Sequence, residues 1–217
     1  MEASFWLQRW QDDLIGFHQA EVNPHLVRFW SATGVAAGER VLVPLCGKSR
    51  DMLWLGERHP VLGVELSPIA VSSFFREAGL VPQCREEGAF SVCEAQGVRL
   101  LCGNFFQLDA EQLGGVRGVY DRASLIALPP ALRREFASRL GDLLPAGVVM
   151  LMVTLDYEQS QMSGPPFAVA APEIEALFGA RWSLRLLDEQ DVLATHPAFQ
   201  ERGLTRLRES VYLLQKT

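Results

Sequence analysis

Residues 41–52 read VLVPLCGKSRDM, and residues 60–68 read PVLGVELSP. An apolar strand runs into a loop with one glycine, a short helix follows, and a second apolar strand ends in an acid. The Gly47-Lys48-Ser49 tail invites a phosphate-binding reading. A P-loop needs Gly-x-x-x-x-Gly-Lys-Ser/Thr, which puts its first glycine at residue 42. Leu42 stands there, inside the strand, and Pro44 removes one backbone N–H that a phosphate cradle would use. The dinucleotide pattern Gly-x-Gly-x-x-Gly fails as well, because the loop holds Gly47 alone. Glu65 follows Gly47 by 18 residues. An acid at the end of a second strand is placed to accept ribose hydroxyls. A single-glycine turn, an acidic strand end and no phosphate cradle together fit a nucleoside ligand without a polyphosphate, such as S-adenosylmethionine. The competing reading makes Glu65 a solvated strand end.

Outward from this unit the chain alternates strands and helices. Residues 4–16 place Phe5, Trp6, Trp10 and Leu14 on one helical face with Ser4 as cap, and residues 24–34 read as a helix entered through Pro24 and closed by Gly34. SPIAVSSFFREAGL is a helix with Ser67 as cap, Pro68 at its first position and Gly79 past its end. QCREE, AFSVCEA and VRLLCG suggest short strands with turns at Gly88 and Gln96-Gly97. GVRGVYDRAS is a strand, PPALRREFASRLGDLL a helix, and GVVMLMVTLDY a strand apolar enough to be buried on both faces. APEIEALFG is a helix, and RWSLRLLDEQD and the C-terminal TRLRESVYLLQKT are strands. This order predicts an α/β fold, a doubly wound and mostly parallel sheet. Met162 to Phe167 forms the one long loop, at the sheet edge where such folds bind ligands.

The 217 residues suit one domain, and 48% apolar residues supply a full core. A net charge of -6 argues against nucleic-acid binding. No apolar run approaches the roughly 20 residues of a membrane span. The N-terminus lacks the basic start and apolar core of a secretory signal. Cys46, Cys84, Cys93 and Cys102 show no metal-ligand spacing, so four reduced thiols in a cytoplasmic protein are expected, with monomer as the default state.

WLQRW, FHQ, PLCGKS, GVELS, YDRASLIAL and SGPPF, taken together, resemble the thiopurine S-methyltransferase family in its bacterial form, from about residue 4 to the C-terminus. The resemblance implies the class I S-adenosylmethionine-dependent methyltransferase (Rossmann-like) fold, a seven-stranded, mostly parallel sheet whose final strand is antiparallel, with helices on both faces. The strands at residues 81–93 would be additions to it. It implies one methyltransferase domain over residues 1–217, with residues 1–36 as a helical lid. The donor would be S-adenosylmethionine, the product S-adenosylhomocysteine, and the acceptor the sulfur of an aromatic or heterocyclic thiol. Bacterial members are also associated with methylating selenium and tellurium compounds.

Residue by residue, the resemblance makes Trp10, Leu45, Gly47, Glu65, Asn104, Phe105 and Arg122 donor contacts. Phe17, Pro165, Pro166 and Phe167 become walls of the acceptor pocket. Some have a plainer alternative: Trp6 and Trp10 as a hydrophobic anchor, Phe105 and Phe106 as core, and Arg122 in a salt bridge with Asp121 or another nearby acid. Lys48, with no phosphate to bind, reads as a solvated helix start. Attack of the acceptor sulfur on the sulfonium methyl releases a neutral thioether, so positioning should supply most of the rate and no metal is required. Asp13 and His18 are the candidates for a base. The rival readings are a small-molecule kinase using the Gly-Lys-Ser loop and a non-catalytic S-adenosylmethionine-binding domain.

Overall fold

The computed structural model describes residues 3–16 and 18–217. The chain divides into two compact units, one ending at Tyr120 and the other beginning at Asp121.

The first unit starts with α1 (Ala3–Gln11) and α2 (Pro24–Phe29). Helix α1 is shorter than the apolar spacing predicts. Asp13 takes a left-handed φ of 54°, a conformation aspartate tolerates better than most residues and one that ends a helix. Asn23 caps α2 by accepting a bond from the His25 N–H, and a 3₁₀ turn, Trp30–Thr33, carries the chain to Gly34 at φ 69°. Next come β1 (Arg40–Val43), α3 (Asp51–Gly56), β2 (Val61–Glu65) and α4 (Pro68–Glu77). Ser67 caps α4 through the Ala70 N–H, and Gly79 closes it at φ 69°. Strands β3 (Gln83–Glu87), β4 (Phe90–Ala95), β5 (Val98–Cys102) and β6 (Val116–Arg122) complete the set.

These strands lie in the order β3-β4-β5-β2-β1-β6. Strands β5, β2, β1 and β6 are parallel, and β3-β4-β5 is an antiparallel meander. Every residue of β2 is buried, as expected of a central parallel strand covered on both faces. Helices α3 and α4 pack on β2, and α1 packs on α4. Gly63 in β2 has no room for a side chain, since an added Cβ would lie 2.4 Å from a Leu100 methyl and 2.8 Å from Cys46 Sγ.

The expectation of four reduced thiols is corrected. Cys84 and Cys93 are joined as a disulfide, whereas Cys46 and Cys102 are free. Register explains the pairing: the two residues face each other across β3 and β4, with Cα atoms 4.1 Å apart.

The second unit holds α5 (Ser124–Ala127), α6 (Pro130–Leu143), β7 (Val149–Asp156), α7 (Ala171–Phe178), β8 (Trp182–Asp191), α8 (Pro197–Glu201) and β9 (Arg208–Lys216). The C-terminal strand β9 lies antiparallel between β7 and β8. The described residues thus hold nine strands against the seven implied by the family resemblance, the hairpin β3-β4 accounting for the other two.

Arg133 of α6 organises this unit. It is 2% exposed, donates to the carbonyls of Leu125, Leu128 and Ala168, and forks onto both Glu173 oxygens at 2.8 and 2.7 Å. Nε and Nη1 carry all of these bonds, and Nη2 meets no acceptor among the described residues; the planar guanidinium fixes the two donating nitrogens relative to each other, which the single ammonium of a lysine would not do.

Candidate functional site

The loop after β1 carries two left-handed residues, Leu45 at φ 45° and Gly47 at φ 55°. A left-handed leucine is uncommon and costs on the order of 1 kcal/mol, so something must hold it. Two bonds flank it. The Cys46 N–H donates to the Val64 carbonyl at 3.0 Å, and the Gly47 N–H donates to Glu65 Oε2 at 2.8 Å. The other Glu65 oxygen accepts from the Ser67 N–H at 2.7 Å. One carboxylate therefore fastens the loop after β1 to the turn that starts α4. The Glu65 carbonyl accepts from the Gly103 N–H at 2.8 Å, which brings in the segment after β5.

Glu65 is 7% exposed, which removes the solvated strand-end reading. Burial pushes its carboxyl above the ordinary carboxylate range, and the N–H groups of Ser67 and Gly47 pull it back. Each oxygen uses one lone pair on these donors and keeps another for a ligand hydroxyl.

Trp10 is buried, and its six-membered ring lies over Gly47: a Cβ on Gly47 would sit 3.4 Å from Trp10 Cζ2. Trp10, Gly47 and Glu65 thus form one continuous cluster, with Leu45 in the same loop. Asn104, just past β5, caps the Phe105–Gln107 turn by accepting from the Phe106 N–H at 3.0 Å. Phe105 is buried, and Phe106, edge-on to it at 5.7 Å, is the more accessible of the two rings.

Two thiols lie close by. Burial, then the Glu65 charge, raises Cys46 well above the usual thiol range and pushes Cys102 up to about 11. Both stay protonated near neutrality, so neither offers a thiolate that would compete for an electrophilic methyl group.

Lys48 departs from its expected role. Its side chain is only 12% exposed and its Nζ donates to Glu77 Oε1 at 2.8 Å, so it is an ion-paired side chain and not a solvated helix start. Asp13 is exposed on the turn after α1, His18 is half-buried beside Lys48 and Glu77, and Phe17 lies outside the described residues.

In the second unit Pro165, Pro166 and Phe167 are half-buried and rigidly held. The Tyr157 hydroxyl donates to the Pro166 carbonyl at 2.6 Å, and the Phe167 N–H donates to the Ile126 carbonyl at 2.7 Å. The Arg133 guanidinium sits 5.6 Å from the Phe167 ring centre. Arg122 is half-buried at the end of β6. Asp121 beside it is buried and accepts from the Ser124 N–H at 3.3 Å.

The family model described as thiopurine S-methyltransferase matches residues 1–217. The chain belongs to the thiopurine S-methyltransferase family. It is 52% identical over 215 residues to a thiopurine S-methyltransferase of Nitrosospira multiformis, covering 99% of this chain and 98% of that one. A thiopurine S-methyltransferase of Azotobacter vinelandii is 50% identical over 217 residues, covering both chains fully. Among solved structures, a Burkholderia thailandensis 1,6-didemethyltoxoflavin N1-methyltransferase with bound S-adenosylhomocysteine has a TM-score of 0.65 at 18% identity, covering 99% of this chain and 87% of that one. An S-adenosylmethionine-dependent methyltransferase from Anabaena variabilis gives 0.65 at 14% identity, covering 99% and 95%. These likenesses establish the methyltransferase fold, and family membership makes the chain an S-adenosylmethionine-dependent methyltransferase.

Three residues of this family member escaped the sequence reading as organisers. Buried Asp51 accepts from the Asn23 N–H at 2.8 Å and the Tyr120 hydroxyl at 3.1 Å. Asp121 and Arg133 are the others. Asp51 and Arg133 lie in helices, Asp51–Gly56 and Pro130–Leu143, and nothing in their spacing marks them. Asp121 drew notice only as a partner for Arg122.

Proposed function

We propose that the protein transfers the methyl group of S-adenosylmethionine to the sulfur of small aromatic or heterocyclic thiols, thiopurines among them. The single observation that carries the donor assignment is the Glu65 carboxylate, tied to the Gly47 and Ser67 N–H groups with Trp10 over Gly47. This cluster fits the donor. Glu65 would accept the ribose hydroxyls, Gly47 would leave room for the methionine portion beside Leu45, and Asn104 with the Phe105 segment would border the adenine. Trp10 would face the sulfonium, an attraction of about 0.5–2 kcal/mol. Arg122 would hold the donor's carboxylate. When bound, the donor supplies an electrophilic methyl on a cationic sulfur.

Pro165, Pro166 and Phe167 would form an apolar acceptor wall suited to a flat ring, and the family resemblance assigns Phe17 to the acceptor as well. An acidic aryl thiol arrives largely as thiolate, so rate comes from alignment, and Asp13 and His18 are dispensable as bases. Selenium and tellurium compounds would be further acceptors, and including them in the same screen tests this. The Gly-Lys-Ser loop supports no kinase, since Lys48 is bonded to Glu77. The family match over residues 1–217 supports one catalytic domain, and residues 1–36 would be its lid. Among the described residues no helix is long and apolar enough to cross a membrane. The intracellular supply of the donor favours the cytoplasm, and one chain holding both sets of residues favours a monomer.

Calorimetry with S-adenosylhomocysteine tests the donor site, and methyl transfer to an aryl thiol tests the chemistry. Absence of S-adenosylhomocysteine binding overturns the reading. Binding without transfer to any thiol reduces the protein to a non-catalytic binding domain.

A further inference from the structure

A cavity of about 220 Å³ lies in the first unit, lined by none of the residues assigned to the donor. His18, Lys48, Arg50 and Glu77 supply its polar lining, with Leu53 and Ala78 among the apolar residues. Lys48 and Arg50 against Glu77 leave one net positive charge with His18 neutral, and two with it protonated. This is a local reversal in a chain of net charge -6. The bonds around it show how it is built. The Lys48 side chain is 12% exposed, and its ammonium is paired with Glu77, whose side chain is 44% exposed at the last position of α4. The contact with Lys48, then the nearby charges of Lys48, His18 and Arg76, hold the Glu77 carboxyl below its usual range. Arg50 Nη1 donates to the Ala20 carbonyl at 2.9 Å, which fixes the wall that follows His18.

We infer that this cavity is a binding site for a small organic anion, a carboxylate or phosphate monoester carrying a short apolar body. Its charged group would take the place of the Glu77 carboxylate on Lys48, within reach of Arg50 and His18. Size supports a molecule over a lone ion, because one water needs only about 10–15 Å³ of such space. The apolar floor at Leu53 and Ala78 suits a few carbon atoms. Polyanions are disfavoured, since a long chain of negative charge would meet the protein's own negative field. Glu77 then acts as an internal competitor: it keeps Lys48 paired when no ligand is present and swings into solvent when one enters.

The test is calorimetric titration with benzoate and phenyl phosphate, and with benzamidine as a cation of similar shape, each with and without saturating S-adenosylhomocysteine. At least one of the two anions binds and benzamidine does not. Lys48→Gln weakens the anion about tenfold, the loss of one charge-assisted bond. Lys48→Arg retains binding, which separates charge from folding. Glu77→Gln, which removes the competitor, tightens binding several-fold. The site is overturned if neither anion binds the wild type, if benzamidine binds as well as they do, if Glu77→Gln binds no tighter, or if S-adenosylhomocysteine displaces the anion. Failure of S-adenosylhomocysteine to bind bears on the donor site alone.

Discussion

Replacing Asp121 by asparagine should flatten part of the protein's stability against pH. Asp121 is 1% exposed; one oxygen accepts from the Ser124 N–H, and among the described residues Oδ2 meets no donor. Burial pushes its carboxyl up from 3.8 to about 6, against the opposing pull of Ser124. A folded value above the unfolded one means that the native state holds a proton the unfolded chain has released. The stabilisation is therefore complete below 3.8 and is lost as pH rises through about 6. The shift corresponds to about 3 kcal/mol in all, of which about 2 kcal/mol falls between roughly pH 4.5 and 7.5. Asparagine cannot ionise, and any fixed cost of its amide is the same at every pH. Urea unfolding of both proteins across this window isolates the effect, because all other carboxyls, Glu65 included, cancel in the difference. The stability of Asp121→Asn relative to wild type should rise by about 2 kcal/mol toward high pH. A difference that stays flat refutes the assignment of a raised Asp121 and shows that water reaches Oδ2.

Glu65→Gln keeps the shape of the donor cluster but loses the charge, and should weaken S-adenosylhomocysteine binding at least about tenfold by calorimetry. Trp10→Ala should weaken it further than Trp10→Phe, which keeps a ring over Gly47. Gly63→Ala must displace Leu100 and Cys46 and should cost about 1–3 kcal/mol in urea unfolding. Arg133→Ala leaves Glu173 and three carbonyls without their donor and should cost about 3–5 kcal/mol, enough to lower the thermal midpoint by well over 5 °C.

The parallel strands were legible because β1 and β2 are short apolar runs bounded by turn residues, and α4 because Ser67, Pro68 and Gly79 mark both its ends. Glu65 was legible from position alone, as an acid at a strand end one helix after a glycine turn. The end of α1 was not, since the Trp6 and Trp10 periodicity continues to Leu14 and the break comes from the backbone conformation of Asp13. The Cys84–Cys93 pair was hidden because it depends on strand register, which spacing does not reveal. Lys48 was misjudged for a related reason: its partner Glu77 lies 29 residues away, at the far end of another helix. Asp51 and Arg133 share this character, since Asn23 and Tyr120 for the one, and Ala168 and Glu173 for the other, are brought close only by folding.

The loop of Pro165, Pro166 and Phe167 is fastened through its own carbonyls and amides: Tyr157 on Pro166, Ile126 under Phe167, and Gln159 bonded to both Met162 and Ala168. In its proposed role as acceptor wall, a loop fastened in this way has little freedom to reshape itself around a new guest. Changes in acceptor preference, in nature or by directed evolution, would then be carried by the exposed side of Phe167 and its neighbours, one residue at a time. Insertions into the loop would break the bonds that hold it and should be purged before they could be tried for new chemistry.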